Sequence, residues 1–562
     1  MFINNRRIPI DFPGVLTFVF TLRYLKPVQI YGRALYALKR QFYRVNGLTA
    51  LRKKAAELKP TLQQPQKIQI TFDFLNVKET YPLDSIKWVD NTKEKLWRYN
   101  QHYFDFLLKN NYTKEKAIEK LYLVLDWIEK NSYETTEAWE PFVISKRVVN
   151  WTKWLKDSKY HFTNDDEIRL VIYESICIQC KRLYQDIEYH VQANHLFENL
   201  KALFITAAFL IENGYKVNHF INQLIFSAKE LTIEINEQIL DDGGHYEVTP
   251  MYHEQILSGM VEINLAAGDA LEIENLSVNQ VTALEKLHCL CSVKIKKMKH
   301  WLSFMVHPDG KFSLFNDTSL IKPKELDEEH ELLQYTDSFE FFENSGYFIR
   351  HWGGGFYFII DSGSPSPEYQ PGHSHCDSMS YELSLAGQRV IVDTGVGSYQ
   401  DPSVRNYCRR TAAHNLPVIE GVEQSEIWAF FRMGRRSCVL ERNYNVSADT
   451  FSCLIADYNG NIFERKVVFE KYSLTVTDVL RKRISAGAFK SLVHIHPDVL
   501  VKPEGSNKIS LSTPKTVFNI LSESNLSVQE SKYYPEFGKE MSNNVIIAEQ
   551  TSSSTISYQI NF

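Results

Sequence analysis

The stretch NHLFENLKALFITAAFLIENG, residues 194–214, decides how the first half of the chain is read. Its apolar residues recur over a broad face at the spacing of an α-helix, and Asn213-Gly214 is a helix stop signal. The same texture runs outward from it, from about residue 92 to about 330. After Thr113, a candidate N-cap, Ile118, Leu121, Leu125 and Ile128 keep the helical spacing. FINQLIFSAKELTIEINEQIL, 220–240, runs on to a break at Gly243-Gly244, and another helix begins near Tyr252 and continues through MVEINLAAGDAL, 260–271. Successive helices with short loops point to a bundle, a solenoid or a toroid, and no fixed repeat period chooses among them.

The texture changes after about residue 340. FYFIIDSG (356–363), SYELSLAGQRVIVDTG (380–395), NIFERKVVFEKYSLTVTDVL (461–480) and KSLVHIHPDVLV (490–501) are short β-rich runs divided by Gly, Asn, Ser and Pro. An antiparallel β-sandwich or multi-sheet β domain fits them. The linker is expected in the acidic stretch KPKELDEEHELLQYTDS, 322–338. The predicted organisation is a partly helical N-terminal extension over 1–90, a helical domain over 91–335 and an antiparallel β domain over 336–562.

At 562 residues the chain is too long for one core, and 44% hydrophobic with 23% charged residues is the composition of a soluble globular protein. A net charge of −5 excludes bulk attraction to nucleic acid. A polyanionic ligand would need a locally basic cleft, and Arg405, Arg409 and Arg410, then Arg432, Arg435 and Arg436, are the densest basic clusters; surface solvation is the competing reading for each. Aromatic residues reach 13%, which serves sugar stacking but more commonly fills cores. The eight cysteines include one CxxC, Cys177 and Cys180, inside a helical pattern, so buried thiols are expected and no disulfide framework. Near the N-terminus VLTFVFTL, 15–22, is too short to span a bilayer and lacks the order of a signal peptide. LRYLKPVQIYGRALYALKRQFYR, 22–44, is basic and amphipathic. A packed helix is the reading taken there, with docking on a membrane surface or a partner as the alternative. The expected location is cytoplasmic or membrane-peripheral, and the oligomeric state stays open.

Four constellations could carry chemistry. In QANHLFEN, 192–199, Asn194 and His195 stand where a loop enters a helix, as an N-cap beside an ordinary histidine or as cleft-facing groups. In DDGGHYEVTPMYHEQ, 241–255, His245, Tyr246, Tyr252 and His253 crowd a loop before the next helix, a good place for an acid or base. A tyrosine titrates near ~10, so acting as a base requires neighbours that lower its pKa. PGHSHCDSMSYELSLAGQRVIVDTG, 371–395, puts His373, His375, Asp377 and Asp393 around one hairpin, and RNYCRRTAAHNLPV, 405–418, adds His414. Their types suit Zn²⁺, although the spacing is no local metal motif and core histidines compete. In LVHIHPDV, His494 and His496 share one strand face, and a packed face is the reading taken.

Taken in order, LWRYNQHYFDFL (96–107), WEPFVISKRVVNWTKWL (139–155), QANHLFENLKAL, GGHYEVTPMYH, GHSHCDSMSYELSLAGQRVIVDTG and RRTAAHNLPVIEG resemble the heparinase II/III-like polysaccharide lyases and the related alginate lyases. The resemblance covers about residues 90 to 425 well and the remaining β region more loosely. It implies an N-terminal (α/α) toroid, a C-terminal antiparallel β-sheet domain, an active site in the cleft between them, and β-elimination at a uronic acid. That chemistry needs donors to neutralise the C5 carboxylate, a base for the C5 proton and an acid for the leaving O4 oxygen. Carried onto this chain, Asn194 neutralises the carboxylate, His195 and His373 assist it or act as base, and Tyr252 is acid, or acid and base. Tyr246 stands close enough to compete. A further tyrosine from the β domain is expected, Tyr399 in preference to Tyr407. Trp97, Tyr99, His102, Arg147, Asn150 and Arg410 are expected sugar contacts. His375, Asp393 and His414 match a structural zinc site beneath the catalytic loop, with Asp377 left to the turn. An acidic polysaccharide is the implied partner, and similar chains from bacterial surface-polysaccharide gene clusters point to capsule or O-antigen processing. The competing readings are a catalytically silent carbohydrate-binding protein and a glycoside hydrolase. For the latter Glu198, Glu247 and Asp377 can be nominated, but they make no convincing pair.

Overall fold

The periodicity of 194–214 becomes a helix over Ala193–Glu212, and it is buried on every side: no residue from Leu196 to Ile211 reaches solvent appreciably. A helix apolar all round belongs in a core. The computed structural model describes residues 14–42, 47–62, 68–108, 113–131, 137–157, 166–215, 218–326, 337–550 and 553–562. Its helices are α1 (Val15–Tyr24), α2 (Pro27–Phe42), α3 (Leu48–Leu58), α4 (Lys95–Tyr103), α5 (Lys114–Lys130), α6 (Pro141–Lys156), α7 (Asp166–Gln185), α8 (Ala193–Glu212), α9 (Asn218–Gln238), α10 (Pro250–Leu271), α11 (Val278–Phe304) and α12 (Pro402–Arg409). Thr113 caps α5 as expected, its side chain accepting from Lys116 N. The expected boundary at 335/336 lies outside the described residues.

The chain divides into two compact units. One comprises Lys26–Glu237 and Ser258–Ile295 and is mainly helical. Within it α6 packs against α4, α7 and α8, and α3 against α5 and α7. The buried face of α8 carries one cation, Lys201, whose Nζ lies 3.0 Å from Glu198 and 3.1 Å from Glu262 of α10. Such an ion pair is tolerable in a core only because both partners are present.

The other unit comprises Met1–Leu25, Gln238–Leu257 and Lys296–Phe562. Two antiparallel sheets dominate it. The first runs Asn525–Glu536, Lys539–Glu549, Phe489–Ile495, Gln388–Ile391, Tyr381–Leu385, Phe356–Asp361, Tyr347–Trp352, Ser338–Phe342, with Pro417–Ile419 also pairing onto Phe489–Ile495. The second runs Cys438–Asn445, Thr450–Ala456, Ile462–Glu470, Ser473–Lys482, Thr555–Asn561, Val517–Ser522, Lys508–Ser512, Leu500–Pro503. Phe348, Ile360, Leu383 and Val493 of the first meet Phe451, Val467, Val476 and Ile560 of the second in one core. The opposite face of the first sheet is covered as well: Tyr347, Ile349, Tyr357 and Ile359 pack on Trp301, Met305 and Phe315. This is why FYFIID reads as a continuous apolar run while IFERKVVFE alternates.

No helix among the described residues is long and apolar enough to cross a membrane. In the stretch 22–44, expected as a packed helix, α2 forms but leaves Ile30, Tyr31, Leu35 and Leu38 exposed, and α1 before it packs through Thr17 and Thr21 and leaves Val15, Leu16, Phe18 and Val19 exposed.

The Lys201 cluster makes the helical unit acid-labile. Burial opposes ionisation of Glu262, yet Lys201 and Lys153 prevail and hold its carboxyl at about 2, below the ordinary 4.5. A depressed carboxyl stabilises the fold above its unfolded pKa, so this contribution is present at neutral pH and drains away as pH falls from about 4.5 towards 2. Lys201→Met, which strands two carboxylates, is expected to cost about 3–5 kcal/mol at neutral pH, read as a lower melting temperature by circular dichroism. The penalty should shrink on acidification as Glu198 and Glu262 protonate.

Candidate active site

The loop 241–249 approaches α11 more closely than a side chain would allow. Gly243 has φ +93°, and a Cβ there would lie 2.3 Å from the carbonyl oxygen of Lys297. Val248 holds a positive φ of 44° because its carbonyl accepts from Tyr347 Oη at 2.7 Å and Asn316 Nδ2 at 3.1 Å. The loop therefore delivers the start of α10, and with it Tyr252, to a fixed place.

Tyr252 meets two partners there. Its ring lies on that of His373, centroids 3.9 Å apart, and its hydroxyl oxygen is 3.0 Å from that of Tyr399. Burial, reinforced by the charge of Asp317, pushes both phenols above their ordinary pKa, so both are protonated at neutral pH. Tyr407, the competing tyrosine, instead bonds Ser531 Oγ at 2.8 Å.

Asp317, fully buried, organises the centre. His373 donates from Nδ1 to its Oδ2 at 2.9 Å, and His375 donates from Nε2 to its Oδ1 at 2.8 Å. Arg405 bonds both oxygens as well, with Nη2 2.9 Å from Oδ2. Burial disfavours the Asp317 carboxylate, but Arg405 and the two histidines hold it well below the ordinary range. The segment 316–317 is stitched to the histidine loop by backbone bonds too: Asp317 N donates to His373 O at 3.2 Å and His375 N to Asn316 Oδ1 at 3.0 Å. With Nδ1 as donor, a neutral His373 ring has its lone pair on Nε2, the tautomer a general base requires.

His375 has the opposite arrangement. Its Nε2 is the donor, and Nδ1 is buried without a hydrogen-bond partner. His414 donates from Nδ1 to Asp393 Oδ2 at 2.7 Å, leaving Nε2 equally unpartnered. Ligand atoms of His375, Asp377 and His414 all lie within 4.8 Å of one another. Two imidazole nitrogens and a carboxylate, all buried, are a donor set that fits a divalent metal ion. Burial lowers His375 to about 4, so it is neutral at neutral pH, the form that ligates. The sequence points to Asp393 as ligand and to Asp377 as a turn residue or a carboxylate supporting the ligands. The geometry puts Asp377 in the cluster and sets Asp393 on the far nitrogen of His414, where a carboxylate orients a ligating ring.

In the helical unit, Gln192 rather than Asn194 is the N-cap of α8. Asn194 is buried, and His195 is half-exposed, with Nδ1 3.2 Å from Glu188 Oε2 and its ring 4.5 Å from that of Phe142. Glu188 is pinned in turn by Asn199, whose Nδ2 donates to Oε2 at 3.2 Å. Several expected sugar contacts are interior instead. Trp97 is 1% exposed and donates to Val77 O at 3.0 Å. His102 accepts from Trp127 Nε1 at 3.0 Å, and burial lowers it to about 3. Arg147 is buried on the Trp127 ring at 4.0 Å and donates to Gln179 at 2.8 Å. Asn150 donates to Tyr103 O at 2.8 Å. These four are buried within the helical unit and bonded to neighbours there. Tyr99 is half-buried on Glu140, Tyr246 is buried with its ring 6.1 Å from that of Tyr369, and Arg410 is exposed beside Glu423.

Asp317 escaped the sequence reading, since FSLFNDTSL carries no motif and its partners follow 56, 58 and 88 residues later. Arg405 was noticed only as part of a basic cluster, yet both it and Arg409 are fully buried. His494 is a packed strand histidine, bonded to Ala412 O at 3.1 Å. The cysteines are free. Glu198, nominated for hydrolysis, is locked under Lys201.

The family model for the heparinase II/III N-terminus matches residues 39–347, and that for the heparinase II/III-like C-terminal region matches 336–561. A heparin-sulfate lyase of Bacteroides stercoris is 23% identical over 401 residues, covering 60% of this chain. The chain spans 56% of that relative's length. Among solved structures, heparinase III has a TM-score of 0.69 at 15% identity, covering 98% of this chain and 91% of its own. A heparan sulfate lyase mutant from Pedobacter heparinus has a TM-score of 0.62 at 15% identity, covering 94% and 87%. The helical-then-β architecture is thus that of the heparinase structures.

Asp317→Asn tests how far the centre depends on one charge. It leaves Arg405 buried without a counter-charge, so a loss of about 3–5 kcal/mol is expected in denaturant unfolding of the β-rich unit. A loss under about 1 kcal/mol would mean that backbone bonds alone hold the loop.

Proposed function

The chain belongs to the heparinase II/III family, and from that premise we propose that it is a polysaccharide lyase that cleaves a uronate-containing glycan by β-elimination. The observation that carries the reading is the cluster of Asp317, His373, Tyr252 and Tyr399, in which the His373 ring, bonded through Nδ1 to Asp317, lies on the Tyr252 ring, whose hydroxyl meets that of Tyr399. In the proposed step His373 Nε2 takes the C5 proton of the uronate. The electron pair of that C–H bond forms the C4=C5 double bond, the C4–O4 bond breaks, and Tyr252 delivers a proton to the leaving oxygen. Tyr399, hydrogen-bonded to Tyr252, is positioned to share or replenish that proton. The raised phenol pKa keeps Tyr252 protonated, which argues against its serving as the resting-state base. Asn194 and His195 are proposed to neutralise the C5 carboxylate, as the family resemblance assigns them. The helical region is proposed to be the (α/α) toroid of that family, with residues 91–335 and 336–562 as its two domains. A bacterial capsule or O-antigen is the substrate class proposed from the same resemblance.

A zinc ion is proposed for the cluster of His375 Nδ1, Asp377 and His414 Nε2, with Asp393 orienting His414. When bound it would supply order rather than chemistry, fixing the loop two residues from His373.

A panel of uronate polysaccharides tests the activity through ultraviolet absorbance of the unsaturated product. Tyr252→Phe is expected to lower kcat by about 10²-fold or more, and His373→Ala likewise, with the fold intact. Reducing ends released without absorbance would mean hydrolysis and would remove the reading. Metal analysis of the purified protein should find one zinc per chain, absent from His414→Ala and Asp377→Ala. Asp393→Ala should retain zinc with affinity weakened by about 10–100-fold. Loss in Asp393→Ala with retention in Asp377→Ala would exchange the two carboxylates' roles.

A further inference from the structure

Helix α1 is packed inside out. A surface helix ordinarily turns its apolar side inward. Here the inward stripe is polar: Thr17 donates to Glu426 Oε1 at 2.7 Å, and Thr21 accepts from Trp428 Nε1 at 3.0 Å. Arg436 lies over the Tyr24 ring at 4.0 Å, completing the contact one turn on. Val15, Leu16, Phe18 and Val19 consequently face solvent, with exposures of 82%, 66%, 49% and 53%. The segment 426–436 offers α1 hydrogen-bonding partners, so the orientation has a cause within the fold and is not a loose end.

Helix α2, the next in the chain, repeats the pattern. Ile30, Tyr31, Leu35 and Leu38 are each at least half exposed. Along the sequence, the charge among these apolar residues is of one sign. Between Phe12 and Ala56 the sequence holds nine Lys or Arg and no Asp or Glu, in a chain whose net charge is −5. Exposed aliphatic and aromatic residues interleaved with cations, on helices of 10 and 16 residues, fit the interface of an anionic bilayer and are too short to cross it. A protein partner of ordinary composition would not require so complete an exclusion of acidic residues.

We propose that α1 and α2 are each an interfacial membrane-docking helix, with Val15, Leu16, Phe18 and Val19 of the first and Ile30 and Leu35 of the second entering the headgroup region of an anionic lipid bilayer, and with Arg23 of the first and Arg33 and Lys39 of the second meeting its phosphates. This stands independently of the lyase reading, because none of these residues belongs to the candidate active site. It would hold the enzyme at a membrane where a lipid-linked or surface-attached glycan is handled.

Co-sedimentation of the full chain with vesicles tests it. Binding is expected to phosphatidylcholine–phosphatidylglycerol vesicles, at least about tenfold weaker to phosphatidylcholine alone, and to fall as salt is raised. Leu16→Glu/Val19→Glu and Arg23→Glu/Arg33→Glu should each weaken binding to the anionic vesicles by about tenfold or more without shifting the melting temperature. If the apolar pair fails to fold, the charge pair and the salt titration decide alone. Failure of the wild type to sediment with anionic vesicles would overturn the proposal, as would a variant that binds like wild type. So would a wild-type dimer in solution that Leu16→Glu/Val19→Glu converts to monomer, since that would give the face to a second copy of the chain.

Discussion

One buried carboxylate holds together the polar centre of the β-rich unit. Asp317 is removed from water and surrounded by Arg405, His373 and His375, which between them occupy both of its oxygens. A lone buried carboxylate would be too costly to stay ionised, and a lone buried guanidinium equally so; together they tolerate burial. Because each oxygen takes one imidazole N–H, the same charge sets the tautomers of two histidines that lie two residues apart. In its neutral form each ring then has its lone pair on the other nitrogen, Nε2 in His373 and Nδ1 in His375. The two rings are thereby given different work, one towards Tyr252 and the other towards Asp377 and His414.

The scaffold makes such a centre affordable by being rigid around it. The first sheet is covered on both faces, so strands around Tyr347 and Tyr357 are held by packing on either side. Tyr347 then reaches out of that sheet to hold the carbonyl of Val248, and the loop that presents Tyr252 keeps a backbone angle a β-branched residue does not favour. Asn316 contributes from the opposite side, bonding Val248 O and His375 N at once. Strain, hydrogen bonding and packing act on the same few residues, and that is what makes the centre a fixed geometry.

Much of this was legible one residue at a time. The helical spacing of 194–214 and 114–130 and the β runs after 340 correspond to elements because local periodicity and turn chemistry act over a few residues. Chemistry-bearing types stood out for the same reason, namely Tyr252, His373, His375 and His414 in short polar segments. Trp97, His102 and Arg147 are buried, which the sequence does not show, because an aromatic or charged side chain looks alike whether it lines a cleft or fills a core. Trp127 settles the question for two of them by bonding His102 and stacking on Arg147. The orientation of α1 was equally hidden, since its threonines are turned inward by Glu426 and Trp428, some 400 positions away.

By itself the sequence determined the order of architectures, the inventory of acids, bases and ligands, and the one-signed charge of the N-terminal helices. These follow from composition and short-range pattern. Only the tertiary structure decided which groups touch. It selected Tyr399 over Tyr407 as the neighbour of Tyr252, brought Asp377 into the cluster with His375 and His414, and disclosed Asp317 as the common partner of three cationic or protonatable groups. The reason is physical. The pKa, tautomer and usefulness of a side chain depend on what lies within about 4–6 Å of it, and in a folded chain most of those neighbours come from far along the sequence.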